Sequence, residues 1–374
     1  MPTMGPSHYR FLDLLKAVAS NLIVLHHLAF YGPMIDYVRP IVPEMVEWLE
    51  SQARIAVHAF LAIGGFLAAK SLSPKGLPGV KQPVSTLVRR FLKLVPPFMV
   101  AMALAVVASA LAARWMTHDS ISAAPTLAQV AAHALLLHGI LGFESLSAGA
   151  WYVAIDFQLY GFMALLLLIA AVLSGGGRPT WLVPTLVALG AGASLMYFNL
   201  DAGWDVWAPY FFGSYGLGAL AWWASDAKRS TLAAAVLVSV VLLLGGIALE
   251  YEFRSRIAVG LGTSLVLVAA CRWGMRFPGQ DLAVTGFLGR ISYSLFLVHF
   301  PVCLVINAAF TRFMPAEAWA QGIGVLLAWA ASIAVGALFH RHVEAPLGRL
   351  FSTEKAHPKA RELPALSQNS TLSN

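Results

Sequence analysis

Residues 9 to 32 read YRFLDLLKAVASNLIVLHHLAFYG, with Lys16 near one end and His26 and His27 near the other. The run is apolar and long enough to cross a bilayer as a helix. Lys16 and His27 are separated by eleven positions; at about 100° per residue they share one face of the helix, about 16 Å apart along its axis. Ionisable groups at that depth are costly and usually mark a pathway or a reaction site. The question for the rest of the chain is what this stripe faces.

The composition answers in favour of a membrane interior. The 374 residues are 59% hydrophobic and 11% charged, and the mean hydropathy is +0.72, values of a polytopic membrane protein and not of a soluble domain. A formal charge of +7 could suggest nucleic acid, but the basic residues cluster in loops between apolar runs, where membrane topology accounts for them. Cys271 and Cys303 both fall in or beside apolar segments, so they form neither a disulfide framework nor a metal-ligand spacing. The first apolar run has no short core followed by a small-residue cleavage site, so it is read as an uncleaved span.

Runs of spanning length lie near 11–32, 54–72, 91–113, 150–173, 181–199, 208–225, 231–249, 255–272, 286–310 and 318–341, which predicts an all-α bundle of about ten transmembrane helices. The shorter stretch 127–143 contains His133 and His138 and is expected to be interfacial or re-entrant, with an eleventh span as the alternative. Ten spans put both termini on one side. Loops on that side hold seventeen Lys and Arg: Arg10, six from Lys70 to Lys93, Arg178, Lys228, Arg229, Arg272, Arg276 and five from Arg341 to Arg361. The opposite loops hold six, Arg39, Arg54, Arg114, Arg254, Arg256 and Arg312, so the termini are expected in the cytoplasm. Acidic residues such as Asp36, Glu50, Asp201, Asp205 and Glu252 give the opposite loops a character that suits a neutral hydroxylated acceptor better than an anion. Residues 1–350 read as one transmembrane domain, and 351–374 as a polar cytoplasmic tail without periodicity, expected to be disordered.

Four segments carry groups suited to chemistry. His27 is a candidate general base, since an unperturbed imidazole titrates near neutrality; the plainer reading is a histidine satisfied by helix packing. Its neighbour His26 points about 100° away and reads as packing. Asp156, in WYVAIDFQLYGF with Gln158 and Tyr160, is an intramembrane acid that needs a basic or histidine partner on a facing helix. Arg90 and Lys93 stand three apart on one helical face and could hold phosphates, although topology alone would also put them there. The segment FLGRISYSLFLVHFPV supplies Arg290, Ser292, Tyr293, Ser294 and His299, a polar stripe expected to face inward.

In order along the chain, these segments resemble acyltransferase family 3, the integral membrane acyltransferases that O-acylate surface polysaccharides and other glycans. The family's opening Arg or Lys, ten residues, then His is matched by Lys16 and His27. Its V-D-x-F-F-x-x-S-G-F pattern is similar to Val57–Phe66, its R-x-x-R to Arg90–Lys93, and its W-x-x-x-x-E-E-Q-F-Y to Trp151–Tyr160. Leu288–Pro301 is close to a further family segment, and Val343–Pro346 to a closing V-E-x-P. The resemblance covers roughly residues 8–350. Departures are Asp156 for the usual glutamate, Phe157 for the second acid, His58 for an aspartate and Lys93 for an arginine, which loses the planar fork that binds phosphate bidentately.

The resemblance implies transfer of an acyl group, most readily acetyl, from cytoplasmic acyl-CoA to a hydroxyl of an exported or lipid-linked glycan, with acyl-CoA as co-substrate, no bound cofactor and membrane lipid as the surroundings. A bacterial inner membrane is the expected location. In that scheme His27 is base or acyl carrier, and Asp156 orients a polar partner, His27 among the candidates. Lys16, Arg90, Lys93 and Arg290 bind the donor, while Tyr160, Ser292 and His299 are candidates for the acceptor route. A continuous tunnel along the Lys16–His27 face is expected. The rival from another class is a secondary transporter or flippase that uses Lys16, His27 and Asp156 as a relay.

Overall fold

The structure is a computed structural model that describes residues 6–351, with side chains from Arg10 onward; the expected disordered tail therefore lies almost wholly outside the described residues. Every regular element among these residues is helical. Ten long helices occur in chain order: α1 (Pro6–Phe30), α4 (Ala56–Leu72), α5 (Pro83–Ala112), α7 (Ala150–Leu173), α8 (Leu182–Met196), α9 (Ala208–Ala224), α10 (Thr231–Tyr251), α11 (Ser255–Trp273), α12 (Ala283–Phe313) and α13 (Ala318–Phe339). Short helices α2 (Met34–Val38), α3 (Pro43–Ser51), α6 (Leu127–Ala134) and α14 (Ala345–Leu350) join or follow them. Nine segments among the described residues are long and apolar enough to cross a membrane. The tenth long helix, α9, has only 17 residues, about 25 Å. It can be that short because protein, not lipid, surrounds it: all its residues except Pro209 and Trp222 are buried, as expected of a helix apolar on every side.

The stretch 127–143 does not span. Thr126 caps α6 by accepting from the Gln129 amide, and the helix stops after eight residues, about 12 Å. Turns then carry the chain back to α7. Within them His138 stacks on His133 with ring centroids 4.1 Å apart, both rings against Phe98 of α5.

The bundle is drawn together by small residues. A Cβ added to Gly65 of α4 would sit 1.8 Å from the Tyr215 carbonyl oxygen of α9, and one on Gly218 of α9 would sit 1.9 Å from the Ala62 carbonyl oxygen of α4. The two backbones thus touch at two successive levels, a packing that in lipid depends on close van der Waals approach. Likewise, Gly289 of α12 lies where a Cβ would be 2.5 Å from the Asp13 Cα of α1. α12 is the most enclosed of the nine spans, while α10 and α13 present most of their surface outward.

Loops on each face of the bundle are tied to one another. At the face where the described chain begins and ends, Arg10 pairs with Asp281 at 2.8 Å and Arg276 with the same carboxylate at 2.7 Å. These two guanidiniums, Arg10 foremost, hold the Asp281 carboxyl below its usual range. At the far face Arg39 pairs with Glu50 at 2.9 Å. There Arg254 donates to Asn199 Oδ1 at 2.8 Å and to the Leu195 carbonyl at 2.9 Å, and burial lowers its pKa. Replacing Gly65 with valine should destabilise the fold by at least about 2 kcal/mol, because a backbone must move. Gly246→Ala, where nothing lies within 4 Å of the added Cβ, should leave the melting temperature in detergent unchanged; equal melting of the two variants would remove the α4–α9 crossing as a fixed point.

Candidate active site

A cavity of about 770 Å³ opens on the far face, within the range of small-ligand sites. Its walls come from the ends of helices that meet there: the end of α1 (Ile23, His27, Tyr31), the start of α4 (Val57, His58), the starts of α7 and α9 (Trp151, Tyr210, Phe211), and Phe296 of α12. Polar rim groups include Gln52, Arg54, Asp205 and Glu252, while Arg256 is partly buried. Aromatic faces beside a few polar groups suit a sugar ring, whose C–H bonds lie on flat apolar surfaces while its hydroxyls seek partners.

His27 is placed in this cavity by its position on α1 and held there by α12. Its Nδ1 lies 2.5 Å from His299 Nε2, and the two rings are nearly parallel, at 10°. His299 is 0% exposed, and its Nδ1 lies 2.8 Å from the Phe296 carbonyl oxygen. A carbonyl only accepts, so His299 Nδ1 carries a proton and donates it. A neutral His299 then has its lone pair on Nε2 and accepts from His27 Nδ1–H. That leaves the lone pair of His27 on Nε2, which has no protein partner among the described residues. The network thus fixes both tautomers and leaves one base directed away from α12.

Asp156 is not part of this arrangement. Its Oδ2 is 2.5 Å from Arg90 Nη2, and Arg90 lies over the Tyr160 ring at 5.2 Å. The expected link from Asp156 to His27 is therefore replaced by two separate pairs, because α7 turns Asp156 toward α5 while α12 meets the end of α1. The acid that needed a basic partner found one in Arg90, and Phe157 packs against Phe91 of α5 beside it. The pair stands deep in the bundle: Asp156 is five positions along α7 from the cavity residue Trp151, about 7.5 Å along the axis.

The remaining expected site residues disperse. Lys16 is 2.9 Å from Asp13 one turn earlier, a partner that the i, i+3 spacing made legible and that sequence reasoning passed over. Lys93 and Arg290 are exposed, on the half of the bundle toward the termini. Ser292 is buried and bonded to the Gly289 carbonyl at 3.0 Å, Tyr160 stands with Arg90, and His299 lies behind His27; none of the three lines the far-face cavity. The expected continuous tunnel along α1 is also absent from this cavity, whose lining reaches Ile23 but not Ser20 or Lys16. Ser20 is 1% exposed, so the intervening turn is filled by packing. His26 Nδ1 donates to the Leu49 carbonyl oxygen 2.9 Å away, a bond that ties α1 to α3, and its ring also forms part of the cavity lining. Tyr31, Tyr210, Phe211 and Arg256 were not singled out from sequence; only Tyr31, four positions after His27, carried a local signal.

Compared with known proteins, residues 9–341 match the acyltransferase domain family Acyl_transf_3. No curated protein and no solved structure gives a significant match.

Removing one partner of the interior ion pair should cost about 3 kcal/mol by leaving the other charge uncompensated. Asp156→Ala is thus expected to lower the melting temperature markedly, and Arg90→Met with Asp156→Leu to recover much of the loss; a single variant that melts like the parent would show that the pair contributes no stability.

Proposed function

The chain belongs to acyltransferase family 3, a membrane acyltransferase by its fold and by the match of residues 9–341, and from that premise we propose that it moves an acyl group, acetyl foremost, from cytoplasmic acyl-CoA to a hydroxyl of an exported or lipid-linked glycan. The observation that carries this reading is the His27 imidazole in the far-face cavity, with its proton-bearing nitrogen engaged by His299.

In the proposed reaction the acceptor hydroxyl hydrogen-bonds to His27 Nε2. As the hydroxyl oxygen attacks the thioester carbonyl, His27 takes its proton, the new C–O bond forms, and the C–S bond breaks. The proton then passes from His27 to the departing thiolate, so that ester and free thiol are the products and the imidazole is regenerated. His299 acts through His27: by accepting from Nδ1 it holds the ring and its tautomer, and supports the cation that forms during proton transfer. Phe296 fixes His299 in turn.

The donor enters from the terminal half of the bundle, where Lys93 and Arg290 are exposed and Lys16 lies close by; these cations are the proposed contacts for its phosphates. Its arm would pass the Arg90–Asp156 pair and reach the cavity beside Tyr152 and Phe296, whose ring centroids are 5.2 Å apart. Asp156 then serves by holding Arg90 along this route, not by touching His27.

In membrane vesicles supplied with radiolabelled acetyl-CoA and the host's own glycans, His27→Ala should lower transfer by about 10²- to 10⁴-fold. His299→Ala should lower kcat by about 10²-fold with KM for the acceptor little changed, and should shift the pH profile. Undiminished transfer by correctly inserted His27→Ala protein would defeat the proposal.

A further inference from the structure

Two arginines stand at the start of α11, and they are used differently. Arg254 is buried and has its guanidinium engaged with Asn199 Oδ1, the Leu195 carbonyl and, at 3.4 Å, the Ala248 carbonyl. Those contacts join three loop ends and give it a structural task. Arg256 has a single protein hydrogen bond, from Nη2 to the Asn199 carbonyl at 2.9 Å. Its guanidinium lies over the Tyr210 ring at 5.3 Å, and its Nε is buried without a hydrogen-bond partner.

Arg256 takes part in no ion pair among the described residues. The two carboxylates in the cavity lining, Asp205 and Glu252, are exposed at its rim. Facing Arg256 across the interior is His58, which is held at Nδ1 by Ser214 Oγ at 2.8 Å and brings no negative charge. Arg54 adds a further cation to the same lining. A partly buried guanidinium with an unused donor is costly unless a counter-charge lies near it, and this one sits over an aromatic ring in the lining of the space that His27 also lines.

We propose that the cavity holds an anionic group of the acceptor, a carboxylate or a phosphate, on Arg256 with His58 alongside, while a hydroxyl of the same molecule lies at His27. The inference rests on the acceptor reading of the far-face cavity and narrows it: the loops of this face are acidic, but the buried and partly buried charges in the cavity lining, Arg254 and Arg256, are cationic. An anion clamped at one end would fix which hydroxyl reaches His27, so that Arg256 sets acceptor orientation as well as affinity.

The test is ligand-observed NMR titration of the full chain in nanodiscs, without donor, using methyl glucuronide, glucose 1-phosphate and methyl glucoside. At low salt at least one anionic sugar should bind about tenfold tighter than the neutral glucoside, and the preference should shrink as salt is raised. Preference for the glucuronide alone identifies a sugar carboxylate, and preference for glucose 1-phosphate alone a phosphate. Arg256→Gln should abolish the preference and leave glucoside binding unchanged, with Arg256→Lys retaining most of it; Arg256→Met takes the place of the glutamine variant if that variant does not fold. Equal binding of charged and neutral sugars, or a preference that survives in Arg256→Gln, overturns the inference. Because no donor is present, an intact anion preference alongside undiminished acyl transfer by His27→Ala would refute the acyltransfer chemistry at His27 and leave the anion site standing.

Discussion

α1 and α12 lie side by side, running in the same direction, and the rest of the candidate site depends on their contact. They meet at three heights: Gly289 against the Asp13 backbone, His299 against His27, and Asn307 receiving the Met34 amide just beyond the end of α1. The first contact needs a residue without a side chain, and the last needs a side-chain carbonyl. Between them the two imidazoles are brought to hydrogen-bond distance without a carboxylate. A histidine pair inside a bundle carries no net charge when both rings are neutral, so it avoids the desolvation cost that a histidine–carboxylate ion pair would meet there.

The ion pair of Arg90 and Asp156 is placed elsewhere, between α5 and α7. Its surroundings are tyrosines: Tyr160 under Arg90, with Tyr152, Tyr215 and Tyr293 close enough to interact electrostatically with both charges. Phenol rings tolerate apolar neighbours on their faces and present a hydroxyl at the tip, which makes them suitable packing around a pair that lipid could not accommodate. Separation of the histidine pair from the charged pair divides the bundle into a far half that holds the cavity and a polar middle layer.

How much of this could be read from the chain follows from the range of the interactions. Hydropathy marked the ten long helices, including α9, because helix length and apolar composition are local properties. The need of Asp156 for a basic partner was also legible, since a lone acid in an apolar run has few alternatives; which cation supplied it required knowing that α5 faces α7. The His27–His299 contact joins residues 272 positions apart, and no periodicity encodes that adjacency. Arg256 was counted among loop charges because sequence cannot distinguish a guanidinium turned to water from one laid over Tyr210. The expected tunnel followed from helix geometry alone, and packing around Ser20 filled the turn through which it would have run.

The glycine crossing between α4 and α9 has a consequence for how the two halves communicate. Gly64, beside Gly65, lies where an added Cβ would be 3.3 Å from Tyr215 and 3.8 Å from Asp156 Oδ1, while His58 on the same helix lines the cavity. α4 is therefore the wall shared by the charge pair and the cavity, and its backbone contact with α9 leaves no side chain that could yield. Between the two regions lie aromatic rings, with Tyr152 against Phe60 of α4 and edge-on to Phe296 of α12. Any adjustment between the charge pair and the cavity therefore falls to the torsions of side-chain rings set against a fixed partition, and sliding of α4 along α9 is closed to it.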